Sequence, residues 1–346
     1  MDLWIYDESL ALQGIIDTAS SVIWADRFRQ CGDFEIYTPA ETAALELLRI
    51  DRYVMRPGSD MVGIVEKIEL TTSEEDGDYI KATGRDLRSI LDRRIIWEQT
   101  VLTGTVENAI RRLITEAFIS PAIPARKFDL LSLAAAHGYE ETVSTQYTGD
   151  NLLEAVEALC AAYNYGFKIK LQDGGMVFDL YKGADRSAAQ SDLPRVIFSD
   201  EFDTLASSEY IRDKAAFKTV ALVAGEGEGS ARRCVTVSLP TEQTGLQRRE
   251  MFIDARDVSS NNGEIAAAEY DAQLIDRGLP DLYEAAEVES MTGSVELLQT
   301  YTCGKDYDLG DLVTVRNRYG VECDTQVLEI VESWDANGYI CTPTFG

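Results

Sequence analysis

Ser21–Phe28 (SVIWADRF) and Asp33–Thr38 (DFEIYT) are two strand-like runs that flank Gly32. The second alternates polar with apolar side chains, the period of a half-buried strand, and a glycine between them fits a tight antiparallel connection. The same grammar continues outward. Val62–Leu70 alternates in this way, Pro57-Gly58-Ser59-Asp60 and Ser73–Asp78 carry turn chemistry, and Tyr79–Thr83 reads as the returning strand. Helical signals here are short. Thr38-Pro39-Ala40-Glu41 has capping-box spacing with proline at the first helical position, which predicts a helix through Leu48. Gly84-Arg85-Asp86-Leu87 leads a second short helix to Arg94.

From about residue 104 the period becomes helical. Ile110, Leu113, Ile114, Ala117 and Phe118 share one face, and Pro121 and Pro124 end that helix in a loop. A second amphipathic helix is predicted from Asp150 to about Asn164, with Gly166 as its C-terminal cap. Phe167–Leu171, the turn Asp173-Gly174-Gly175 and Met176–Tyr181 form a hairpin by the same logic. After Pro194 strands return at Val196–Ser199, Phe217–Ala224, Cys234–Leu239 and Met251–Asp254, followed by a helix, Glu264–Asp276, that Gly278 is expected to cap. Asn337-Gly338 marks a terminal hairpin. The plan, β, then α/β, then β with one helix, is that of a β-rich α+β or multi-barrel protein.

Over 346 residues, 32 Lys and Arg stand against 60 Asp and Glu, a formal net charge of −28. Such a surface repels polyphosphate, so tight sequence-independent binding of nucleic acid is excluded and an anionic membrane is a poor partner. Hydrophobic residues make up 45%, enough at this length to bury sizeable cores. No run approaches the ~18 apolar residues of a membrane span. The start, MDLWIYDESLALQG, lacks the regions of a signal peptide. Cys31, Cys160, Cys234, Cys303, Cys323 and Cys341 are scattered without a CxxC pair, which fits neither a disulfide scaffold nor a zinc knuckle. A soluble chain folding in a reducing cytoplasm is the simplest expectation.

The signals for catalysis are weak. His137 is the only histidine, so no site needing two is possible within one chain. It lies in Ala134-Ala135-Ala136-His137-Gly138 without a G-x-S-x-G elbow, and a structural or solvent-exposed place is expected. Gly225-Glu226-Gly227-Glu228-Gly229 follows an apolar strand as a nucleotide loop would. Ser230, however, takes the third glycine position of G-x-G-x-x-G, and a strand follows where phosphate binding needs a helix. A hairpin connection is the better reading. Carboxylate pairs such as Asp306/Asp308 or Glu74/Glu75/Asp76 are too common here to single out a glycosidase pair, and no calcium loop occurs. No catalytic residue, metal or cofactor is assigned.

The basic residues carry more information. Of the 32, 23 are arginine and nine lysine, with dipeptides at Arg93-Arg94, Arg111-Arg112, Arg232-Arg233 and Arg248-Arg249. Arginine's planar fork suits bidentate pairing with carboxylates and is enriched at protein interfaces. Arg93, Arg94, Arg232, Arg233, Arg248 and Arg249 are therefore candidates for contacts with acidic surfaces of neighbouring subunits.

Several short motifs, in order, carry a resemblance. They are Cys31-Gly32-Asp33-Phe34-Glu35-Ile36, Gly63-Ile64-Val65-Glu66, Gly84-Arg85-Asp86-Leu87 through Leu91-Asp92-Arg93-Arg94, and Ala184-Asp185-Arg186-Ser187. Val223–Gly229, Phe252–Asp257, Tyr307-Asp308-Leu309-Gly310-Asp311-Leu312-Val313 and Gly338-Tyr339-Ile340 complete the set. Together they resemble the siphophage minor structural tail proteins that act as baseplate or tail-tip hubs.

The resemblance implies a baseplate-hub fold with two β-barrel-like tube domains and peripheral α/β domains. Residues 1–100 would form the first tube domain, and 195–249 with 286–346 the second. An α/β insert, 101–194, would be completed by 250–285. It also implies a homotrimer in the virion, assembled in the host cytoplasm. That ring would join the tail tube to distal tip proteins and pass DNA as non-adhering cargo. Gly32, Gly84, Gly225, Gly227, Gly229, Gly310 and Asp311 would then be structural turn residues with no role in a reaction. Because the chain stops directly after its last strand, an appended hydrolase is not expected. Two other classes compete: a tail-associated cell-wall or glycan hydrolase using a carboxylate pair, and a carbohydrate-binding adhesin stacking sugars on Trp4, Trp24, Trp97 or Trp334.

Overall fold

Alternation decides the first sheet, as the burial of its strands shows. The computed structural model describes residues 1–59, 61–73, 77–172, 174–202, 204–205, 207–240, 243–294 and 300–346. Asp60, Glu74, Glu75, Asp76 and Asp173, which the sequence assigns to turns or carboxylate clusters, lie outside them. The N-terminal part contains β1 (Leu3–Tyr6), β2 (Leu12–Ile16), β3 (Ser21–Arg27), β4 (Asp33–Pro39), α1 (Thr42–Leu47), β5 (Tyr53–Met55), β6 (Val62–Thr71) and β7 (Tyr79–Asp86). In β4 and β7 every second residue is buried, and these form one face of a core with Leu3, Ile5, Trp24 and Leu48.

The insert follows as β8 (Thr100–Thr105), α2 (Val106–Ile114), β9 (Leu131–Leu133), β10 (Thr142–Tyr147), α3 (Leu152–Tyr163), β11 (Gly166–Gln172) and β12 (Gly175–Tyr181). Its helices bury Ile110, Leu113, Val156 and Leu159 against Leu102, Phe167 and Phe178, and that core extends to Tyr53 and Ile64 of the first sheet. The C-terminal part holds β13 (Ile197–Ser199), β14 (Ser207–Asp213), β15 (Val220–Ala224), β16 (Cys234–Ser238), β17 (Glu250–Asp254), α4 (Ala267–Glu284), β18 (Val288–Ser294), β19 (Leu312–Arg316), β20 (Glu322–Asp335) and β21 (Gly338–Phe345).

One thirteen-stranded sheet runs β14-β18-β21-β20-β3-β4-β7-β6-β5-β1-β2, with β19 on β20 and β13 on β19. The link between chain ends is β20, fourteen residues long. Its first part pairs with β19, and Glu329–Trp334 pairs with β3 on one side while β21 covers the other. The fold is β-rich, as expected, but among the described residues no sheet closes into a barrel. Strands β15–β17 stay apart as a three-stranded sheet under α4, with their own core of Val223, Val237, Ile253 and Leu274.

Three local expectations need correction. The Thr38 capping box does not form. Thr38 is buried inside β4 and meets Thr18 Oγ1 at 3.0 Å, so its hydroxyl is unavailable and Glu41 precedes α1 without a side-chain cap. The helix α3 ends on Asn164, left-handed at φ 57°, while Gly166 opens β11. Finally α4 runs through Gly278 and Pro280. Gly278 is a packing glycine, since a Cβ there would stand 2.4 Å from Val223 Cγ2.

α4 also leans on the insert, where Asp276 accepts the Ser144 N–H at 2.5 Å. Burial pushes its carboxyl up to about 6, outweighing that hydrogen bond. Between pH ~4 and ~6 the folded state then holds the extra proton, so this group's contribution to stability is lost as pH rises through that window. Asp276→Asn keeps the acceptor and removes the charge. It should raise stability at pH 7 by about 1 kcal/mol, a figure discounted for partial exposure. Urea denaturation at pH 4 and pH 7 measures it, and equal effects at both would exclude the ionisation.

Candidate functional site: a charged junction of three chain segments

β3 ends at Arg27, and Arg27 with the following Phe28 and Arg29 meets both other parts of the chain. The Phe28 N–H donates to Leu328 O at 2.8 Å, and its ring is fully buried. That ring lies against two glycines: a Cβ at Gly166 would be 2.4 Å from Phe28 Cε2, and one at Gly310 2.3 Å. Gly310 also has φ +88°, so both its backbone and its neighbour demand glycine. Arg29 Nη2 donates to Asn164 Oδ1 at 2.6 Å and to Gln326 Oε1 at 2.5 Å, and Gln326 Nε2 donates to Gly310 O at 2.7 Å. One arginine thus joins the insert to the C-terminal sheet.

Below it lies Arg88, 4% exposed. A 3-10 turn, Leu87–Arg93, starts on Asp86, whose Oδ1 accepts the Arg88 N–H at 2.7 Å. Arg88 Nε donates to both Asp86 oxygens at 3.0 and 2.9 Å, and Nη2 bonds Asp86 Oδ2 at 2.5 Å and Asp26 Oδ1 at 2.6 Å. Nη1 donates to Arg27 O at 2.5 Å and to Phe167 O at 3.2 Å. Asp86 Oδ2 also accepts the Gly32 N–H at 2.6 Å, and Glu157 on α3 accepts the Cys31 N–H at 2.9 Å. Burial pushes the Cys31 thiol up, which keeps it protonated and unreactive.

A second node is Asp311, 4% exposed. It accepts the Ala184 N–H at 2.7 Å, the Asp308 N–H at 3.0 Å and Arg186 Nε at 2.8 Å. The motifs are therefore partners: Cys31-Gly32 bonds Asp86, and Ala184–Arg186 bonds Asp311. Asp311 does more than shape a local turn. Gly84 sits inside β7, facing the bulge of β6, where a Cβ would fall 1.8 Å from Ile64 O. Gly32, Gly225, Gly227 and Gly229 lie in connections between strands.

The six selected arginines find partners within their own chain. Arg93 pairs with Asp51 at 2.7 Å, Arg248 with Glu250 at 2.7 Å, and Arg233 with Asp271. Arg232 bonds Ala224 O, Gly225 O and Asp254; Arg94 lies 4.9 Å over Phe118, and Arg249 5.8 Å over Phe217. Sequence reasoning did not single out Arg88 or Glu107. The buried Glu107 carboxylate gathers the N–H groups of His137, Gly138 and Tyr139 at 2.7, 2.8 and 3.1 Å. His137 itself stacks on Tyr139 and bonds Asp179. Among the described residues no group of three His, Cys, Asp or Glu is placed to hold a metal. No helix there is long and apolar enough to cross a membrane.

The model of the Siphovirus ReqiPepy6 Gp37-like protein family matches residues 2–346. The chain belongs to this family. Its fold is shared with tail proteins of known structure. A tail protein from Neisseria meningitidis MC58 is 14% identical with a TM-score of 0.58, over 99% of this chain and 95% of that one. The 43 kDa tail protein of prophage MuSo2 from Shewanella oneidensis gives 14% and 0.59, over 100% and 98%. Prophage tail protein gp18 from Listeria monocytogenes EGD-e gives 14% and 0.55, over 99% and 94%. None of the curated proteins compared matches. The resemblance to siphophage tail proteins thus holds along the whole chain, and the junction lies at the crossing of its motifs.

Proposed function

We propose that this protein is a non-enzymatic structural hub of a phage or prophage tail tip. Three copies form a ring that joins the tail tube to distal components and lets DNA pass. Family membership over residues 2–346 carries this reading, together with a fold shared with tail proteins of known structure. The rigid junction supports it: a hub has to transmit load between tube-forming and peripheral parts, and buried charge pairs at Arg88 and Asp311 fix their relative placement. Residues 1–100 and the C-terminal strands that continue their sheet are the tube segments. The insert and the small α4 sheet are peripheral, a reading that moves β15 and β16 out of the second tube segment (195–249 with 286–346) that the resemblance implies. With a net charge of −28, carboxylates in excess line the passage and repel phosphate, while arginines concentrate at subunit contacts.

Mass photometry of the purified protein, together with imaging of tails carrying a labelled copy, tests the hub. A strictly monomeric mass at high concentration and no label at the tail tip would sink it. Arg93→Glu is the companion measurement. As an exposed pair, Arg93–Asp51 should cost under about 1 kcal/mol of fold stability when broken, yet the trimer should weaken. An intact trimer after reversal removes Arg93 from the interface.

A further inference from the structure

The four tryptophans differ in what covers them. Trp24 is 4% exposed and stacks on Phe34, Trp334 lies 4.4 Å beneath the Arg56 guanidinium, and Trp4 is partly buried in β1. Trp97 is 59% exposed. It forms one wall of a cleft between the segment 95–100 and the end of α2, floored by the buried Leu113 and Ala117. Arg126 stands 5.7 Å over the Trp97 ring, held there by Ile95 O at 2.7 Å. On the other side Arg112 is fixed by Glu116 at 2.6 Å and by Val101 O at 2.8 Å. This wall is also irregular. Thr115–Ile119 is a π-helical turn, a geometry that recurs at functional sites.

The lining selects a chemistry. The two arginines lining the cleft, Arg112 and Arg126, are matched by two carboxylates, Glu98 and Glu116, with Arg112 paired directly to Glu116. A chain at −28 also repels anions, so a phosphate or uronate is disfavoured. An apolar floor and a largely exposed indole, beside fixed donors and acceptors, suit a neutral ligand with an apolar face and a ring of hydroxyls. We propose that this cleft binds a neutral carbohydrate, one pyranose ring stacking on Trp97 while the Arg112–Glu116 pair holds its hydroxyls. Such binding does not require the trimer and stands if the hub proves wrong.

The test is calorimetric titration with neutral trisaccharides built from glucose, galactose, mannose and N-acetylglucosamine, beside trigalacturonate and a leucine-rich decapeptide. At least one neutral sugar should bind saturably, with Kd near ~1 mM. Trp97→Ala should weaken it at least tenfold, Ala122→Trp should fill the cleft and abolish it, and Trp334→Phe should leave it unchanged. No saturable neutral sugar up to about 20 mM would overturn the proposal. So would binding untouched by Trp97→Ala, or uptake of only the uronate or the peptide. Both cleft variants alter exposed positions, and their circular dichroism should match the parent.

Discussion

Arg88→Ala should lower the free energy of unfolding by about 3–5 kcal/mol, the largest single-residue effect expected in this chain. The size comes from what is left behind. Asp86 would keep its charge in a buried place with the Gly32 and residue-88 amides and the weakly donating Cys31 thiol as its remaining donors, and Asp26 would lose its arginine partner. The carbonyls of Arg27 and Phe167 would each lose the Nη1 donor as well. Arg88→Lys should recover less than half. An ammonium is a point charge with three donors, whereas the planar fork here serves two carboxylates and two carbonyls from opposite edges. Removing Asp86 together with Arg88 should cost less than the two single losses combined, because no uncompensated charge remains. Several cores share the chain, so unfolding is not a single step, and the first urea transition is the one to follow. Hydrogen exchange at the Gly32 amide gives a local readout. A change under about 1 kcal/mol with Gly32 still protected would show that the junction does not depend on this arginine.

Asp311→Ala should cost about 2–4 kcal/mol, since one buried carboxylate serves three donors from two separate segments. Asp311→Asn should cost roughly half as much. It retains one acceptor oxygen but turns an amide donor toward an N–H it can no longer accept. The distinguishing measurement is again local: Ala184 and Asp308 amides should exchange faster in both variants, while Gly32 exchange stays unchanged. Faster exchange at all three sites would mean that the two nodes unfold together.

Much of the fold was legible because it is written in local periodicity. β3 and β4 stand where the runs around Gly32 put them, and the β11–β12 hairpin and the terminal turn at Asn337-Gly338 follow alternation and turn chemistry alone, while β6 stands where expected but buries Val62–Val65 in succession ahead of its bulge. The misses share one cause. Thr38, Gly166 and Gly278 each carry a local signal for a helix end, yet tertiary contacts claim them: Thr38 is absorbed into β4, Gly166 makes room for Phe28, and Gly278 lets α4 approach Val223. A residue's side-chain size is visible in sequence, but its neighbours across the fold are not.

The motifs at the junction show the same division. The ordered set Cys31-Gly32, Gly84–Leu87, Ala184–Ser187 and Gly310–Asp311 was enough to place the chain among siphophage tail proteins, because turn glycines and their flanking strands recur in fixed order. Why those residues belong together was invisible. Gly32 and Asp86 are 54 positions apart, and Ala184 and Asp311 are separated by 127. Arg88 gave no signal, since an arginine beside Asp86 reads as surface charge until burial is known.

By itself the amino-acid sequence determined many of the strands and helices, the strong acidity and the family, all properties of neighbouring residues or of their order. Only the tertiary structure decided that β20 joins the two ends of the chain in one sheet, that Arg88 and Asp311 are buried, and that Trp97 alone among the tryptophans faces solvent broadly. The physical reason is desolvation. Whether a charge or a ring is removed from water depends on segments that approach from far along the chain, and that removal sets what each group is worth.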